Sequence, residues 1–73
     1  MSGPFAFLVD APLGTRVVVR TRVTGGYTDA LGFLRERSAA SVSVETKRGL
    51  VTLLMADVVA AKAVPPAPEP RRR

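Results

Sequence analysis

Arg16, Arg20 and Arg22 occupy even positions of the run Arg16-Val17-Val18-Val19-Arg20-Thr21-Arg22-Val23, and Tyr27 follows close behind. In an extended chain alternate residues share a face, so the three guanidiniums form one basic stripe with an aromatic beside it. Such a stripe can hold the phosphates of a single-stranded nucleic acid while the ring stacks on a base. Arg71, Arg72 and Arg73 would add a second cluster of cations. The same stripe is also a solvated strand face whose charges keep a sheet edge from aggregating. One aromatic is a thin stacking platform, which favours this second reading.

The remaining reactive side chains form no constellation. Asp29, Glu36, Glu45 and Asp57 fall at turns or on outward alternating positions, and none is paired for acid–base work. Asp57 reads as the cap of a short helical turn. Serine and threonine have no histidine to activate them, because the chain has no histidine. Cysteine is absent too, so the ligand types that define most transition-metal sites are missing. The sequence therefore predicts no catalytic residue, no metal and no cofactor.

Two apolar features remain. Phe5 and Phe7 precede the first strand and either cover an open barrel end or form a free patch that docks on a partner. Lys62-x-x-Pro65-x-x-Pro68 fits a basic ligand for SH3 domains, but a proline-rich spacer produces the same match. The converse, a groove that grips such peptides, needs several aromatics. Here there are Phe5, Phe7, Phe33 and Tyr27, with no tryptophan.

Seventy-three residues bound these options further. A chain this short buries only about 60% of the surface that its unfolded form exposes, so it builds one thin core and no enclosed cleft. Eleven Lys/Arg against six Asp/Glu give a net charge of +5. The stretch from Glu69 to Arg73 supplies +2 of this, leaving a body charge of +3 that is modest for a dedicated nucleic-acid binder. No apolar run approaches the ~20 residues a membrane helix needs, and the N-terminus lacks the basic start of a secretion signal. The expectation is a soluble, cytoplasmic protein without a membrane partner.

The elements that must carry these side chains are short. Asp10-Ala11-Pro12-Leu13-Gly14 is a turn, and 16–23 alternates as a half-buried strand with Val17, Val19 and Val23 inward. Thr24 to Asp29 reads as a loop. Ala30 to Arg37 reads as a second strand, apolar on both faces at first, with Leu31 and Phe33 in the core and Gly32 marking a bulge or bend. Ser41 to Lys47 alternates with Val42 and Val44 inward. Arg48-Gly49 signals a tight hairpin with Gly49 at positive φ, and Leu50 to Met55 is a fourth strand that buries Val51 and Leu53. Residues 56–64 read as one helical turn and a last short strand bearing Val58. Pro65 to Pro70 ends regular structure as a semi-rigid spacer. The domain plan is an arm at 1–11, a barrel at 12–64, and a linker with a basic tail at 65–73. Four or five hairpin-linked strands, one apolar on both faces, predict an all-β chain: a small, partly open SH3-like barrel with a helical turn before its last strand.

Pro12 to Arg20, then Thr28-Asp29-Ala30-Leu31-Gly32, then Ala56 to Lys62 with Val64-Pro65-Pro66 form an ordered set. Together they resemble the SH3-like N-terminal module of some bacterial GCN5-related (GNAT) acetyltransferases, across residues 12 to about 68. In that family a proline-rich connector leads from the barrel into the acetyltransferase domain. The resemblance implies a docking module that contacts an acetyltransferase domain, its own or a partner's, or another copy of itself. It does not imply acetyl transfer by these residues. The family's Gly-rich acetyl-CoA turn, Gln/Arg-x-x-Gly-x-Gly/Ala, has no counterpart here, and the one glycine pair, Gly25-Gly26, lies between strands. Weak nucleic-acid binding through Arg16, Arg20, Arg22, Tyr27 and Arg71 to Arg73 is the rival expectation.

Overall fold

The computed structural model describes residues 3–65. Helix α1 (Pro4–Asp10) is followed by strands β1 (Arg16–Val23), β2 (Gly26–Arg37), β3 (Ser41–Thr46) and β4 (Gly49–Leu54), then a 3-10 turn (Met55–Asp57) and strand β5 (Val58–Ala63). All neighbouring strands are antiparallel and form one open sheet in the order β4-β3-β2-β1-β5. The small all-β architecture with one helical turn before the last strand is therefore the one expected.

The β1–β2 hairpin sets the register for everything else. Val23 pairs with Gly26, so only Thr24 and Gly25 make the turn. The residues read as a loop, 24–29, instead reverse at once, and Gly26 to Asp29 pair with Val23 to Arg20. Opposed residues of an antiparallel pair share a face. Val17 is fully buried and lies opposite Gly32, so Gly32 and Leu34 turn inward. Leu31 and Phe33 then face outward, 45% and 41% exposed, and Val23 at the strand end is 46% exposed. All three were expected in the core. A strand apolar on both faces has no alternation of its own to fix its register, and a one-residue slip exchanges its faces.

Gly32 has a steric role rather than marking the bulge. A Cβ at this position would run into the backbone carbonyl of Glu45 on β3. The register shift comes later, between Leu34 and Glu36, with Arg35 as the extra residue. Beyond that bulge Arg37 lies opposite the buried Val42, and its guanidinium Nη1 donates to the carbonyls of Leu8, at 3.4 Å, and Ala11. Gly49 has φ 121°, as the tight Lys47-Arg48 hairpin requires.

The core consists of Leu8, Ala11, Val17, Val19, Leu34, Val42, Val44 and Met55, with Phe7, Val51, Leu53, Val58 and Ala61 packed against it. Helix α1 was not anticipated. Pro4 opens it, where a missing N–H costs nothing. Seven residues are too few for a helix to stand alone in water, so burial of Leu8 and the Arg37 contact with its C-terminal carbonyls hold it in place. Asp57 is the last residue of the 3-10 turn, whose N-terminus has no side-chain cap, so the capping role expected for it is not found. The turn is instead tied down by the Met55 N–H, which donates to the Ala40 carbonyl at 2.8 Å.

Candidate docking face

The inner face of the sheet carries the core, and the outer face displays the residues singled out for chemistry. Along β1 the outward positions are Arg16, Val18, Arg20 and Arg22. Their cross-strand partners on β2 are Phe33, Leu31, Asp29 and Tyr27. On the other side of β1, Val18 lies opposite Lys62 and Arg20 opposite Ala60 of β5. The row through Phe33 continues across Glu45 of β3 to Leu50 of β4. The face thus has an apolar strip formed by half-buried Val18 and exposed Leu31 and Phe33, bordered by charged groups, with exposed Leu50 on the edge strand beyond Glu45.

Most of the border charges are engaged by the fold itself. Arg20 and Asp29 form a two-pronged pair, Nε to Oδ1 at 2.9 Å and Nη2 to Oδ2 at 3.2 Å. The hydrogen bond, with the attraction between the charges, raises the Arg20 pKa and lowers that of Asp29. Both groups are solvated, so the pair contributes geometry more than stability. Arg35 donates to Glu45 at 2.6 Å, and its guanidinium carbon lies 5.4 Å from the centre of the Phe33 ring, within cation–π range. Arg16 donates to the Pro65 carbonyl at 2.6 Å, beside the bond from Val64 N–H to the Arg16 carbonyl, so it fixes the point where the chain leaves β5.

The predicted basic stripe therefore exists as a row of side chains, but two of its three arginines are committed. Arg22, opposite Tyr27 at the hairpin end, has no ion-pair or hydrogen-bond partner among the described residues. Tyr27 is 60% exposed. Arg71, Arg72 and Arg73 lie outside the described residues, as do the spacer from Pro66 onward and the Pro68 end of the proline motif. Phe5 and Phe7 stand two residues apart on α1, about 200° around the helix. Phe7 packs against the core while Phe5 is 53% exposed, so they make no single patch. Sequence reasoning missed Val18, Leu31, Phe33, Leu50 and Lys62 as one surface. The signal was present in the stretch 30–34, too apolar on both faces for a strand with only one covered side.

Between β1, β2 and β5 this face opens into a groove of about 360 Å³, lined by Val18, Arg20, Asp29, Ala60, Ala61 and Lys62. Among the described residues no three His, Cys, Asp or Glu side chains converge as a metal site would require. No helix there is long and apolar enough to cross a membrane.

Five antiparallel strands in one open sheet, with one short helix and a 3-10 turn, make a small Sm-like β module, a class that suggests an accessory or RNA-binding-type domain. The chain belongs to the family described as the Rv0428c N-terminal Sm-like domain, whose model matches residues 11–62. No curated protein and no solved structure matches the chain.

Proposed function

We propose that the chain is a non-catalytic docking module whose outer sheet face contacts a protein partner. That partner is an acetyltransferase domain of the GNAT type, on the same chain or a separate one, with self-association as the alternative form of the same contact. The observation that carries the reading is the uncovered strip of Leu31 and Phe33 on β2 beside Val18 of β1, with Leu31 and Phe33 45% and 41% exposed and Leu50 of β4 lying beyond Glu45. Sheet faces that stay in water alternate with polar residues, whereas a contiguous apolar patch rimmed by charge marks an interaction site. The assignment of a GNAT-type partner comes from the ordered motifs of residues 12 to about 68. Sedimentation of the chain, alone and mixed with a GNAT acetyltransferase domain, tests it. Leu31→Asp and Phe33→Asp should each abolish association while leaving the thermal transition in place, because both side chains already face water. Association that survives both substitutions, or its absence in both settings, refutes the proposal.

A nucleic-acid-binding role is the second reading, favoured by one observation: Arg22 and Tyr27 face each other, exposed, at the tip of the β1–β2 hairpin. If it holds, affinity for single-stranded oligonucleotides falls with log[salt] at a slope near −0.7 per phosphate neutralised. Arg22→Ser then lowers that slope. Arg20 should contribute little to it, since its guanidinium is held by Asp29.

A further inference from the structure

We infer that, given the docking reading on which this rests, the groove between β1, β2 and β5 is the subsite that receives an acidic side chain from an otherwise apolar segment of the partner protein. Val18 and Ala60 supply its apolar side chains, while Ala61, also at its wall, turns its methyl to the core beside Val19. The small side chain of Ala60 leaves β5 with little bulk opposite Arg20, and the register shift opposite Arg20 and Thr21 offsets the strand at Val59. Lys62 stands directly across from Val18, and among the described residues it has neither an ion pair nor a side-chain hydrogen bond. The other polar wall is the Arg20–Asp29 pair, which neutralises itself. The groove therefore presents one uncompensated cation set among apolar atoms, with Leu31 continuing the apolar surface beyond Val18.

That arrangement selects among occupants. A nucleic-acid strand brings a phosphate with every nucleotide, whereas the groove offers a single uncompensated cation, so the charges match poorly. A second copy would bring the same cation-rich face, in a chain of net charge +5, against itself. One aspartate or glutamate followed by apolar residues matches one lysine beside Val18, with Leu31 beyond it in the same row. The volume, about 360 Å³, is ample for one side chain and its neighbours.

The test titrates the ¹⁵N-labelled protein with a short capped peptide alternating leucine and glutamate, its glutamine counterpart, and a short oligothymidylate. The expected result is saturable shifts of Val18, Leu31, Ala60 and Lys62 with the glutamate peptide, and binding about fivefold weaker with the glutamine peptide at low salt, the scale of one exposed charge pair. Lys62→Gln should remove that difference while leaving affinity for the glutamine peptide unchanged, a result that simple loss of fold does not produce. Equal affinity for the two peptides, no shift in the groove, or displacement of the glutamate peptide by oligothymidylate at the same residues overturns the inference. If Leu31→Asp breaks association with the acetyltransferase domain while the peptide leaves the groove untouched, only the acidic subsite falls. If the peptide binds the groove while domain association ignores Leu31→Asp, the docking partner is wrong and the chemistry of the groove stands.

Discussion

Truncating Leu8 to alanine should unfold a large part of the domain's margin of stability, although this residue lies outside every strand. Leu8 is fully buried on α1, which packs on β5, and belongs to the same core cluster as Val17 and Val19. Replacing it with alanine removes three carbons from contact with apolar atoms, roughly 2.4 kcal/mol at ~0.8 kcal/mol per methylene. The cavity left behind adds to that, for a total of about 3–4 kcal/mol. A domain of this length commands only ~4–11 kcal/mol in all, so the loss is a quarter or more of it. Urea denaturation followed by far-ultraviolet circular dichroism gives the free energy, and the midpoint of thermal unfolding should drop by about 12–30 °C. Phe5→Ala is the matched control. It removes a larger side chain from the same helix, but one already 53% exposed, and should cost less than ~1 kcal/mol. If Leu8→Ala and Phe5→Ala prove equal within ~0.5 kcal/mol, α1 does not share the cooperative core and its placement here is wrong.

Three further outcomes follow from the same contacts. Gly32→Ala should destabilise by about 3 kcal/mol or more, by forcing β3 away from β2 at the Glu45 carbonyl; denaturant titration reads this directly. Arg37→Ala should cost about 1–2 kcal/mol and speed amide exchange in α1 before the strands, because it strips the Leu8 and Ala11 carbonyls of their donor. Asp29 has its folded pKa lowered by Arg20, so whatever stability the pair supplies is complete above the unfolded carboxylate pKa of ~3.9 and fades as pH falls through the lower folded value. Denaturation midpoints measured across that acid range should show Asp29→Asn removing this part of the pH dependence.

The strands, the helical turn and the tight hairpin at Gly49 were legible because each has a local cause: β-branched alternation, a glycine at positive φ, a short apolar segment after a turn. The outward placement of Leu31 and Phe33 was not legible, because in 30–34 both faces are apolar and only pairing across the hairpin selects between them. A turn of two residues rather than six brings Gly32 opposite Val17, and the backbone of β3 then needs the missing Cβ. The helix escaped notice for a related reason. Pro4 to Asp10 holds a single fully buried side chain, too little to declare a helical period, and its stability comes from burial of Leu8 and from Arg37, 26 and 29 residues beyond the carbonyls it bonds.

The arginines show why a basic sequence pattern is weak evidence for a basic site. Residue type and spacing put Arg16, Arg20 and Arg22 on one face, and the structure keeps them there. What spacing cannot show is whether each guanidinium is free. Arg16 is held by the Pro65 carbonyl and Arg20 by Asp29, while Arg35 lies against Glu45 and Phe33, and Arg37 is turned to the end of α1. Apart from Phe33, those partners lie 9 to 49 residues away, brought to the guanidiniums by the fold. Of the cations left over among the described residues, Lys47 and Arg48 sit in the β3–β4 turn, while Arg22 and Lys62 lie at different places on the outer face: one at the hairpin tip beside an aromatic, the other in a groove beside Val18 and Ala60. Hence the two can be separated by experiment. Arg22→Ser should change only a salt-dependent affinity for nucleic acid, and Lys62→Gln only the preference for an acidic protein segment. A shared response of both activities to both substitutions would mean that the face acts as one undifferentiated cationic surface, contrary to the distinct roles assigned to them here.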